Sequence, residues 1–111
     1  MPDITTLQSP GAAEAAYGVL RPTAHAVATA WALLVHACPL FPKDTPHWCV
    51  STDSAGGLRV EWWTPTGDIR LIVPSVHDNT PYIYYDFGAE YGIDRPATAE
   101  KLAHWITQLT V

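Results

Sequence analysis

A chain of 111 residues has the length of one domain, and we expect residues 1–111 to form a single unit with residues 1–8 as a loose lead. The apolar fraction of 48% is that of a globular protein, and five Trp with five Tyr supply area for a small core. The formal net charge of −5 argues against binding to a nucleic-acid backbone, which needs clustered Lys and Arg, but it permits a basic protein partner.

Met1-Pro2-Asp3-Ile4 has no basic stretch followed by an apolar run, so no secretory signal is expected. The longest apolar stretch, residues 26–37, is interrupted by Thr29 and His36 and is too short to span a bilayer. The expectation is a cytoplasmic protein, without a membrane partner, whose Cys38 and Cys49 are reduced thiols. Ser9-Pro10 starts a short Ala-rich helix over residues 10–18, which Gly18 ends. Arg21-Pro22-Thr23 opens a stronger helix that runs to about residue 37. Ala24, Val27, Ala28, Trp31, Leu34, Val35 and Cys38 fall at helical spacing and form its expected core face. His25, Thr29, Ala32 and His36 make the opposite stripe. Pro39 and Pro42 cannot continue the helix, and residues 39–46 lead into a sheet.

Residues 47–52 are the first expected strand, and residues 53–57 a loop with the permissive Gly56 and Gly57. Residues 58–63 and 69–73 then have strand composition, separated by Pro65 and Gly67, and read as a central hairpin. Alternation puts Leu58, Val60 and Trp62 on one face and Arg59, Glu61 and Trp63 on the other. A three-residue loop pairs Trp62 with Arg70 and mixes the faces. A four-residue loop pairs Trp62 with Leu71 and Val60 with Val73, which keeps one face apolar, and we expect that register. Residues 74–81 form a second turn region. Residues 81–87 are the last expected strand, with Ile83, Tyr85 and Phe87 facing inward, and residues 88–94 are an expected loop. A final helix from about Pro96 to Leu109 carries Leu102, Trp105, Ile106 and Leu109 as its apolar stripe, with Glu100 and His104 on the wet side. The fold class is α+β: a four-stranded antiparallel meander with helices packed on one face. Trp31, Trp62, Leu71 and Trp105 are expected to be buried together.

Gly56-Gly57-Leu58-Arg59-Val60-Glu61-Trp62-Trp63, followed by Asp68-Ile69-Arg70-Leu71-Ile72-Val73, resembles short uncharacterised bacterial proteins. In them a Gly-Gly turn, a strand ending in Glu-Trp and a second strand form a β-meander. The resemblance covers about a third of the chain and implies that meander, without any activity.

Two His-x-Cys pairs, His36 with Cys38 and His47 with Cys49, offer a set of zinc ligands. Zinc needs such ligands at one point, about 2.0–2.3 Å away. His-x-Cys is not a usual zinc spacing, and core cysteines with surface histidines are favoured, so neither metal nor cofactor is expected. A Cys38–Cys49 disulfide is disfavoured by the expected compartment. No nucleophile elbow, phosphate loop or metalloprotease helix is present. His77-Asp78 lacks an identifiable partner and reads as a turn, and Asp44, Asp53, Asp86 and Asp94 read as solvated carboxylates, so an enzyme is not favoured. The second sheet face carries Arg59, Glu61, Trp63, Arg70, Ile72, Tyr82, Tyr84 and Asp86. Aromatics mixed with both charges are typical of binding surfaces. The competing expectation is that the N-terminal segment or a second copy in a homodimer covers this face. A single-stranded RNA platform is disfavoured by the acidic balance and the missing RNA-binding strand motif. The expected function is a protein-binding module, inhibitor or adaptor in type, with Arg59, Glu61, Trp63, Arg70, Tyr82 and Tyr84 as its binding residues. The alternative is a small-ligand-binding or enzymatic domain with a Trp/Tyr-lined pocket.

Overall fold

The structure, a computed structural model, describes residues 21–76 and 79–111. The expected helix over residues 10–18 and the His77-Asp78 pair lie outside the described residues. Helix α1, Ala24–Ala37, begins where Thr23 caps it: Thr23 Oγ1 accepts from Ala26 N–H at 3.1 Å. The same hydroxyl donates to the Ser75 carbonyl at 2.6 Å, and Thr23 N–H donates to the Gly56 carbonyl at 2.8 Å. One residue thus fixes the start of α1 and ties it to two loops. A single 3-10 turn, Cys38–Leu40, follows α1 at Pro39.

Five strands follow: β1 Cys49–Thr52, β2 Leu58–Thr64, β3 Gly67–Val73, β4 Tyr82–Asp86 and β5 Tyr91–Asp94. They lie in sequence order and every neighbouring pair is antiparallel, so the expected meander is present with one more strand than expected. The first strand starts at Cys49, two residues later than expected.

Strand β5 occupies what the sequence reads as a loop. Two glycines within seven residues suggest irregular chain, but each has a role in a tight return. Gly88 takes φ of +85° in the turn, where Asp86 Oδ1 accepts its N–H at 2.8 Å. Gly92 faces Tyr85, and a Cβ there would lie 2.7 Å from the Tyr85 hydroxyl.

The central hairpin pairs Trp62 with Ile69, Val60 with Leu71 and Leu58 with Val73. Thr64 and Gly67 close it, so the loop is only Pro65 and Thr66, and the expected pairings of Trp62 with Leu71 and Val60 with Val73 are corrected by two residues. Pro65 holds φ negative and so excludes the primed turns usual in two-residue hairpins. Thr64 offsets this: its Oγ1 accepts from Thr66 N–H and donates to the Leu109 carbonyl, both at 3.1 Å. A shift of two keeps every side chain on its face. Leu58, Val60, Trp62, Ile69, Leu71, Val73 and Ile83 are all buried.

Helix α2, Ala99–Thr110, starts three residues after Pro96, because Thr98 caps it by accepting from Lys101 N–H at 3.1 Å. Leu102, Ile106 and Leu109 are buried as expected, and both helices pack on the β2–β3 part of the apolar face. Two expectations are corrected. Trp105 is only half-buried, stacked on Tyr85 with ring centroids 3.8 Å apart. On α1 the buried residues are Ala26, Val27, Ala30, Leu34 and Ala37, while Ala24, Ala28, Trp31 and Val35 are exposed. Trp31 therefore does not join Trp62 and Leu71 in the core. A helix apolar around most of its circumference gives periodicity little to orient by, and alanines let α1 approach its neighbours closely.

Candidate functional site

The face opposite the helices is built by strand alternation, and the register sorts its residues into rows across the sheet. The first row runs Trp63, Asp68, Asp86, Tyr91. The second runs Cys49, Glu61, Arg70, Tyr84, Ile93. The third runs Ser51, Arg59, Ile72, Tyr82. All six residues expected to bind, Arg59, Glu61, Trp63, Arg70, Tyr82 and Tyr84, lie within these rows. Trp63 is 55% exposed, and Tyr91 and Ile93 on the outermost strand are 69% and 51% exposed.

The charges hold one another in place. Glu61 meets Arg59 Nε at 3.1 Å through Oε1 and Arg70 Nε at 3.6 Å through Oε2, while Asp68 Oδ1 lies 3.6 Å from the same Arg70 Nε. The two 3.6 Å contacts are ion pairs without a hydrogen bond. Exposed pairs of this kind add about 0–1 kcal/mol each to stability, so their main effect is to order the face. The Arg70 guanidinium sits 5.3 Å from the centre of the Tyr84 ring, and that of Arg95 4.7 Å from Tyr82. Asp68 and Asp86 are left flanked by Trp63 and Tyr91. Sequence reasoning missed Tyr91 and Ile93 as members of this face. The alternation of Tyr91, Gly92, Ile93 and Asp94 was the signal that could have found both.

Among the described residues no three His, Cys, Asp or Glu side chains gather into a metal-holding group, so His36, Cys38, His47 and Cys49 are not brought together as a site. Cys49 is exposed, and burial pushes the half-buried Cys38 thiol up. An open groove of about 440 Å³ lies beside the C-terminal half of α2, lined by Phe87, Glu90, His104, Trp105 and Gln108 among others. The Trp105 indole N–H is already committed to Asp94 Oδ2 at 2.9 Å. Among the described residues no helix is long and apolar enough to cross a membrane.

Comparison of the chain with protein-family models, with curated proteins and with solved structures finds no match.

Proposed function

We propose that this is a protein-binding module of the inhibitor or adaptor type, acting in the cytoplasm through the open sheet face. The observation that carries the reading is the row Trp63–Asp68–Asp86–Tyr91, with large aromatics at both ends and two carboxylates between them. Such a row suits a cationic side chain of a partner protein, which would meet carboxylates from above and aromatic faces from the sides. The mixture of aromatics with both charge signs on the face also favours a protein partner. The net charge of −5 favours a basic partner.

The test substitutes Trp63→Ser and Tyr84→Ser together. Both side chains point away from the helices, so the thermal melt should stay nearly unchanged while capture of the partner from a host lysate is lost. Unfolding of the double variant would make the face core. Undiminished capture would place the binding surface elsewhere.

A further inference from the structure

The groove beside α2 is assembled from three parts of the chain. Thr66 comes from the β2–β3 turn, Phe87 and Glu90 from the β4–β5 turn, and His104, Trp105 and Gln108 from α2. Its volume of about 440 Å³ falls in the range of small-molecule sites. Trp105 is its fixed wall. Tyr85 stacks on one face of the ring with 10° between the planes, Phe87 lies 6.1 Å away between centroids, and Asp94 holds the indole N–H. Lys101 grips Asp94 in turn, and Thr64 donates to the Leu109 carbonyl, so α2 is tied down on both sides of Trp105 in sequence. The ring stays partly exposed and lines the groove. With its N–H already used, Trp105 offers a ligand only apolar ring surface.

We propose that this groove binds a neutral sugar, a pyranose whose C–H face stacks on Trp105 while its hydroxyls reach the polar rim. Among the described residues no hydrogen bond or ion pair engages the side chains of Thr66, Glu90, His104 or Gln108, and all four are exposed. They form a mixed set: the carboxylate only accepts, while the hydroxyl, the imidazole and the amide each donate and accept. Sugar hydroxyls do both, so one pyranose can answer every member of the rim. Its C–H groups carry a slight positive charge and are drawn to the negative face of an aromatic ring. Other ligand classes fit less well. The groove has no Lys or Arg to hold an anion. A cation would find one exposed carboxylate, Glu90, and exposed ion pairs contribute little. A wholly apolar ligand would cover Glu90 and Gln108 without giving them a partner. An open groove also suits a sugar, which can leave its remaining hydroxyls in water. This site is separate from the sheet face proposed above, since Phe87 and Trp105 pack against the core.

The test is an NMR titration of the full chain with methyl β-glucopyranoside and with methyl β-galactopyranoside, each to about 100 mM. At least one glycoside should shift the Trp105 indole and Gln108 side-chain amide signals saturably, with a Kd on the order of 5 mM. Sorbitol has similar hydroxyls but no ring face and should give no saturable shift. Glu90→Gln and Gln108→Ala should each weaken binding by about threefold to tenfold. Both side chains are exposed, so the thermal melts of these variants should match wild type. Trp63→Ser should bind as wild type does, which separates the groove from the sheet face. Cyclohexylamine, a cation with an apolar ring, should bind no tighter than the glycosides. The proposal is overturned by the absence of saturable shifts with either glycoside, by an equal response to sorbitol, or by an affinity unchanged in both groove variants. Loss of binding in Trp63→Ser, or tighter binding of cyclohexylamine that depends on Glu90, overturns it as well.

Discussion

Trp62 is fully buried at the centre of the core, met edge-on by Phe41 at 5.8 Å and by Trp48 at 6.0 Å between ring centroids. Its indole N–H has no hydrogen-bond partner among the described residues. Two opposed terms follow: the ring supplies packing, and the unpaired donor carries a desolvation cost of about 1–3 kcal/mol. Trp62→Ala should therefore destabilise the protein by about 3–5 kcal/mol, through lost packing and the cavity left behind. Trp62→Phe should cost much less, because it also removes the unpaired donor. Urea denaturation of the three proteins checks this, and equal losses in both variants would show the donor to be satisfied. That Trp62 is buried and Trp63 exposed was legible from strand alternation alone, since in a sheet with one covered face neighbouring residues must separate. What the sequence did not show was the pair of rings around Trp62. Phe41 sits in irregular chain, where no period indicates which way a side chain points, and Trp48 lies one residue before β1.

At the scale of elements, the clearest device is the tie between β5 and α2. Asp94, the last residue of β5, accepts from Trp105 Nε1 at 2.9 Å and from Lys101 Nζ at 3.0 Å, and Lys101 also reaches the Arg95 carbonyl at 3.2 Å. The Trp105 hydrogen bond holds the Asp94 carboxyl below the usual aspartate range, with Lys101 helping and burial opposing. A carboxyl whose pKa falls on folding stabilises the fold above its unfolded pKa, near 3.9, and loses that contribution as pH drops through the lower folded value. Asp94→Asn should therefore be less stable than wild type above about pH 4, and the gap should shrink as the solution is acidified below that. Urea melts across this range measure the gap, and a gap independent of pH would assign the effect to packing. Strand β5 itself was hidden in the sequence because its glycines, needed for the turn and for the Tyr85 ring, carry the signature of a loop. The orientation of α1 was hidden for a different reason: its alanines, which decide the contact, are the residues that a hydrophobic pattern weights least.

For the molecule as a whole, the sheet divides two surfaces of different character. The helical side includes α1, which carries no Asp, Glu, Lys or Arg, and the other side carries ion pairs and aromatics. The division into layers was legible in the sequence, because antiparallel strands with one apolar set of side chains need helices on one side only. The composition of the outer face was legible strand by strand, whereas its rows depend on the hairpin register, which a clean apolar face could not decide because a shift of two residues preserves that face.

The position of Cys49 has a practical consequence. It begins the row that continues through Glu61, Arg70 and Tyr84, on the outermost strand β1, and it is exposed, whereas the Cys38 thiol is held up by burial. Thiolate rather than thiol reacts with maleimides, so a limiting amount of reagent at neutral pH should modify Cys49 ahead of Cys38. Peptide mapping by mass spectrometry would verify the site, and preferential labelling of Cys38 would contradict the assigned exposures. A fluorophore installed this way would sit at the border of the sheet face without altering any aromatic residue on it. Occupation of the face could then be read as a change in emission, in the native chain and without a tag.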